Sequence, residues 1–185
     1  MSLQNLDKEK LKLILRTSES FPTQFGPAQA EVIDRRQFRS SSFGHPLSQH
    51  LRGAQFRVDQ LRVYQRTGRK TKFCSLDDMA DALDMVLKTP DGRLSLQQLQ
   101  PGNRQTVSVR IGNLFDVEGE LALNPPQKVK FSSADIAKAG FAFLKCCAVL
   151  EGRARGSELY LHVHTFFPEF NEVELTRLLE AKTRP

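Results

Sequence analysis

The sequence predicts an α+β fold in one compact domain, an N-terminal helical lobe followed by a C-terminal antiparallel β-sheet lobe. Three observations carry that expectation. Apolar residues recur at helical spacing before Pro101, most clearly after Ser75. Beyond Pro101-Gly102 the apolar period drops to two. Helical stretches come first and strands later, and 185 residues suffice to bury a real core.

Taken in order, residues 6–16 carry Leu6, Leu11, Leu13, Ile14 and Leu15 among lysines and predict a short amphipathic helix. Residues 21–27, with Pro22, Gly26 and Pro27, read as a turn, 28–38 as a second helix, and 39–43 as a serine-rich connector. Residues 54–66 fit neither period cleanly and are read as helix, while 68–72 reads as a basic turn. Ser75 with Asp78 resembles a capping box opening the helix of Leu76, Met79, Ala80, Leu83, Val86 and Leu87, which Thr89-Pro90-Asp91-Gly92 ends. Val107, Val109 and Ile111 alternate as a strand, Gly112-Asn113 turns, and Phe115, Val117, Leu121 and Leu123 continue the alternation. Val129 and Phe131 mark a further short strand. Residues 141–150 and 158–167 form a closing hairpin, and Asn171 with Glu174 caps a last helix. The boundaries that follow are an N-terminal helical segment, 1–40, and a main domain, 41–185. The latter divides into a helical part (41–100), a β-rich part (101–170) and a C-terminal helix (171–183).

No apolar run approaches membrane-spanning length, and the start of the chain lacks a signal-peptide pattern, so membrane association is not expected and export would need another apparatus or a longer parent chain. Three cysteines, two of them adjacent, make neither a disulfide framework nor a metal knuckle, which points to a reducing compartment. The net charge is +6, but residues 35–72 alone carry +9, from ten basic residues and Asp59. A one-sided charge of this kind fits a phosphate backbone, an acidic protein partner or a solvated face, and charge alone does not separate these.

The stretch Phe43-Gly44-His45-Pro46-Leu47-Ser48-Gln49-His50 holds two of the four histidines. Gly44 is expected to supply backbone angles closed to other residues; Pro46 suits a first helical turn and biases His45 towards an extended backbone. His45 then sits just before a helix start, where the helix dipole disfavours the imidazolium and leaves a neutral ring able to take a proton. His50 lies roughly 140° further round a helix, so the two rings share a face only if His45 is outside it. His50 flanks the Leu47/Leu51 stripe and reads equally as a boundary histidine with one hydrogen-bond partner.

The last strand divides by parity. Leu159, Leu161, Val163, Thr165 and Phe167 are expected on one face, with Tyr160, His162, His164 and Phe166 on the other, and Pro168 ends the strand. His162 and His164 have a spacing that could hold a metal with a third ligand, but no carboxylate or thiol stands nearby in sequence. They are read as half-exposed strand histidines, and neither a metal nor a cofactor is expected.

The order Gly44-His45-x4-His50, a basic segment, Lys72-Phe73-x-Ser75 before an amphipathic helix, a β-rich half and a closing Thr165-x-Phe167-Pro168 resembles a known family. It is similar to the ribonuclease A-like toxin domains of bacterial contact-dependent inhibition and polymorphic toxin systems, within the wider barnase, EndoU, colicin and RelE group. The resemblance spans residues 40–170 and implies a metal-independent endoribonuclease, tRNA being a natural substrate to test, with a cognate immunity protein as partner and the target cell's cytoplasm as site of action. It implies His45, His50 and Thr165 as catalytic residues, with either Arg57 or Arg62 as the functional arginine. Arg52, Arg66, Lys70, Lys72 and Phe167 are the expected RNA contacts. Two positions depart from the family: Phe43 stands where a glycine is usual, and Phe167 where a tyrosine is frequent. Phenylalanine donates no proton, so a chain that needs that tyrosine is slow, uses another donor or has lost catalysis. The competing readings are a non-catalytic RNA-binding module, a basic domain that docks an acidic protein, and a hydrolase using Cys146 or Cys147. Thiols in an apolar run are more often inert packing.

Overall fold

The structure, a computed structural model, describes residues 6–19, 44–54, 69–112, 115–124 and 127–183. The helices expected over 28–38 and 54–66, and with them Arg57, Arg62 and Arg66, lie outside the described residues. Among the described residues there are six helices and six strands, and the fold is α+β with two antiparallel sheets. In chain order they are α1 (Lys8–Ser18), α2 (Pro46–His50), β1 (Arg69–Phe73), α3 (Leu76–Lys88), α4 (Pro90–Gln97), β2 (Arg104–Ile111), β3 (Val117–Asn124), β4 (Gln127–Ser132), α5 (Ser133–Lys138), β5 (Leu144–Arg155), β6 (Glu158–Glu169) and α6 (Glu172–Thr183). Helices also follow strands, so the split into a helical first lobe and a β second lobe holds only in part. Among the described residues no helix is long and apolar enough to cross a membrane.

The caps read from sequence are present. Ser75 Oγ accepts from Asp78 N at 3.0 Å, and Asn171 and Glu174 exchange side-chain to backbone bonds at 2.9 Å in both directions. Each such cap contributes about 1 kcal/mol. Thr89-Pro90-Asp91-Gly92 does end α3, but it also starts α4: Thr89 Oγ1 accepts from Gly92 N, and Pro90 takes the first helical position, where its missing N–H costs nothing. The basic turn expected at 68–72 is strand β1 instead. Its register sets Lys72 opposite Glu118, and those opposite charges reward a pairing that local propensity does not announce. Helix α5 has no counterpart in the expectation.

One sheet runs β1-β3-β4 and the other β2-β5-β6. The long hairpin of β5 and β6 turns at Gly156, where φ is +62°. Helix α3 buries Met79, Ala80, Leu83 and Val86 and packs on α1, β2 and β5. On the covered side of the second sheet lie Val107, Ile111, Leu144, Cys146, Ala148 and Leu150. Phe166 is fully buried against Phe73, their rings 5.1 Å apart, and each buried ring contributes about 2 to 3 kcal/mol.

Strand β6 breaks the expected parity. Leu150 pairs with Val163 but Val149 pairs with Thr165, so His164 is an extra residue in a β-bulge. Beyond the bulge the faces exchange: Phe166 and Pro168 join Leu161 and Val163 in the core, and Thr165 and Phe167 move to the side of His162. The strand also runs through Pro168, paired with Cys146, to Glu169.

Candidate functional site: a histidine cluster along the last strand

The outer edge of β6 is covered by two distant pieces of chain. Ser18 Oγ, at the end of α1, accepts from Val163 N at 2.9 Å, and His45 N donates to His164 O at 2.8 Å. An edge strand that presents unpaired N–H and C=O groups is thereby closed. The segment 44–54 then runs on to β1, where Leu51 bridges Phe73 and Arg52 N donates to Phe73 O at 2.8 Å. Helix α2 is wedged between the two sheets.

Its orientation is fixed by Glu19. This buried carboxylate accepts from Leu47 N (2.9 Å), Ser48 N (2.8 Å) and Ser48 Oγ (3.0 Å), satisfying amides that a helix start leaves unpaired. Sequence reading missed Glu19 because it lies 28 residues before Leu47.

Gly44 is glycine for a reason other than the one expected. Its backbone is not left-handed; a Cβ there would lie 2.3 Å from Ser18 O and 2.8 Å from His162 Nε2. Because the nearer atom is backbone, Gly44→Ala is expected to cost on the order of 3 kcal/mol. Thermal unfolding checks it, and a variant as stable as the parent would refute the close approach.

His45 is the N-cap residue of α2, outside the helix as anticipated, so its ring can share a side with His50. The two ring centres are 6.1 Å apart, and His45 meets His164 edge-on at 5.4 Å. His50 stacks on Phe167 at 4.9 Å, and its Nδ1 lies 3.2 Å from Thr71 O. A carbonyl only accepts, so Nδ1 carries the proton and Nε2 keeps its lone pair. Burial, then the neighbouring His45, pushes the His50 pKa down to about 3.

His162 and His164 differ from the half-exposed pair expected. His162 is only 2% exposed and His164 is half-buried. Burial first, then the charges of Arg153, His164 and Arg104, lowers the His162 pKa to about 3; burial, then Arg104 and His45, lowers that of His164 to about 4. Among the described residues, His162 Nε2, His164 Nδ1 and Thr165 Oγ1 are buried side-chain atoms without a hydrogen-bond partner. Buried polar atoms are nearly always satisfied, and all three exceptions fall on β6.

The register also brings in residues that sequence reading did not select. Glu151 faces His162 across the ladder and is gripped by Arg104 Nε at 3.0 Å and Arg153 Nε at 3.1 Å. The carboxylate missing from the sequence around His162 and His164 is therefore supplied by β5: one ligand atom from each of Glu151, His162 and His164 lies within 4.8 Å of the others. The Glu151-x-Arg153 spacing was the one available signal, and it means nothing until the partner strand is known.

Among the described residues, the expected RNA contacts lie on the β1–β3 ladder and, for Phe167, against His50. Arg52 is exposed and pairs with Glu118 at 3.6 Å, and Lys72 faces Glu118 on β1. Lys72 lines a shallow cavity of about 300 Å³ with Glu118, Glu120 and Lys130, although its charge still reaches His50. Lys70 lies on β1 beside it in the ladder. Cys146 is fully buried and Cys147 half-buried, and burial raises both thiols above their ordinary range, which does not suit a nucleophile.

Fold and site together define an α+β protein with a cluster of histidines along its last strand, next to a carboxylate held by two arginines. No protein-family model, curated protein or solved structure matches the chain.

Proposed function

We propose that the protein is an endoribonuclease that needs no metal ion for cleavage. The observation that carries this reading is the meeting of His45 and His50, from α2, with His164 and Phe167, from β6. Cleavage of RNA without a metal needs a base for the ribose 2'-hydroxyl, donors for the crowded phosphorane and an acid for the departing 5'-oxygen. His45 takes the 2'-hydroxyl proton, the 2'-oxygen attacks phosphorus, and the bond to the 5'-oxygen breaks as that oxygen is protonated. The products are a 2',3'-cyclic phosphate and a 5'-hydroxyl end. Thr165 Oγ1, buried and without a partner among the described residues, donates to a phosphate oxygen. His50 stays neutral at pH 7, so it serves better as an acceptor, and the acid falls to a cation such as Lys72. As a toxin domain the protein would meet its RNA in a target cell's cytoplasm and be blocked there by an immunity protein.

Incubation with total tRNA in excess chelator tests the reading. The parent chain is expected to give cyclic phosphate ends and to spare DNA, which lacks the 2'-hydroxyl. His45→Ala should slow cleavage by about 10² to 10⁴. Full activity in His45→Ala would remove that residue from the mechanism. Phe167, which cannot donate a proton, favours a second reading: salt-sensitive RNA binding with no cleavage.

A further inference from the structure

Glu151, His162 and His164 form a constellation that the cleavage reading does not use. Glu151 and His162 are cross-strand partners, and His164 occupies the adjoining bulge. One ligand atom from each lies within 4.8 Å of the other two. Both imidazoles also bury a nitrogen, His162 Nε2 and His164 Nδ1, that has no hydrogen-bond partner among the described residues. His162 is 2% exposed, and a Cβ on residue 44 would come within 2.8 Å of its Nε2. Two neutral imidazoles and a carboxylate converging on one point are an unprofitable way to fill a protein interior, unless something there accepts their lone pairs.

We propose that Glu151, His162 and His164 bind one Zn²⁺ ion, or a divalent ion of similar preference for imidazole, independently of RNA cleavage. The donor set, two nitrogens and one oxygen, is one that Zn²⁺ takes with a fourth position open. Bond lengths of about 2.0 to 2.2 Å place ligand atoms about 3.3 Å apart, so the three groups need close in by no more than about 1.5 Å, within the reach of side-chain rotation. Arg104 and Arg153 each donate one bond to Glu151, which leaves further lone pairs on both carboxylate oxygens and holds the group in place as outer partners of metal ligands do. Their charges oppose a dication. Binding therefore depends on imidazole affinity, and Mg²⁺ and Ca²⁺, which require oxygen donors, are excluded.

The test uses untagged, chelator-stripped full chain. Titration with Zn²⁺ followed by calorimetry and metal analysis is expected to give one ion per chain and a raised Tm, and Mg²⁺ to give neither. His162→Ala and His164→Ala should each weaken binding by at least about 100-fold, whereas Cys147→Ser should leave it unchanged. Co²⁺ loading of the parent chain gives a readout that survives any folding defect in the variants: visible d–d bands characteristic of low-coordinate nitrogen and oxygen ligation. Absence of stoichiometric Zn²⁺ at about 100 μM, or binding retained in the double His162/His164 alanine variant, overturns the site. Cleavage in chelator is read separately, so failure of either assay does not decide the other.

Discussion

Glu19→Ala is expected to remove about 3 to 5 kcal/mol of stability and to release α2 from the histidine cluster. The substitution leaves Leu47 N, Ser48 N and Ser48 Oγ without the acceptor they share, at residues that are 0% and 5% exposed. An unsatisfied buried donor costs about 1 to 3 kcal/mol, and bonds to a charged acceptor are at the stronger end. A domain of this size has only about 5 to 15 kcal/mol to lose. Glu19→Gln keeps one acceptor oxygen and removes the charge, so it should retain roughly half the effect. Urea unfolding of both variants measures the difference, and His45 and His50 resonances should shift together in Glu19→Ala. Parent-like stability in Glu19→Ala would mean that the carboxylate does not hold the helix.

Acidification is the second large effect. His50, His162 and His164 all have pKa values pushed below the ordinary 6.5, to about 3, 3 and 4. Above pH 6.5 these rings are neutral in folded and unfolded chains alike, and stability is complete. Below it the unfolded chain binds protons that the folded one refuses, so stability is lost progressively from about pH 6.5 towards pH 3 to 4. The fully buried His162 contributes up to about 1.4 kcal/mol per pH unit, or about 2 kcal/mol by pH 5. His50 and His164, half-buried and screened, together add about as much again. Unfolding of chelator-stripped protein at pH 7.5, 6 and 5 should show a loss of about 4 kcal/mol, and His162→Asn should flatten the slope. A stability independent of pH over that range would contradict the buried neutral cluster.

What could be read from sequence follows the range of the interactions involved. Ser75/Asp78 and Asn171/Glu174 were legible because a cap is settled within three residues. The closing hairpin was legible from its alternation and turn, and the start of α2 from Pro46. The parity of β6 was not, because one unpaired residue in the ladder reverses every position beyond it, and only the partner strand reveals the bulge. The same limit hid Glu151, Arg104 and Arg153, whose importance comes from register rather than from neighbours in sequence. The structure brings His45, His50 and Phe167 together, in a placement that depends on Ser18 and Glu19, which no local pattern marked.

By itself, then, the sequence determined the α+β class, the capped helices, the strand pairing of β5 with β6 and the positions of the histidines, all consequences of local period and cap chemistry. Only the tertiary structure decided that all four histidines share one cluster, that two of them lie against a carboxylate braced by two arginines, and that Gly44 is needed for space rather than for its backbone angles. Those outcomes depend on ladder register and on the buried contacts that close the edge of β6. They are contacts between residues up to 145 positions apart, for which the chain carries no local signal.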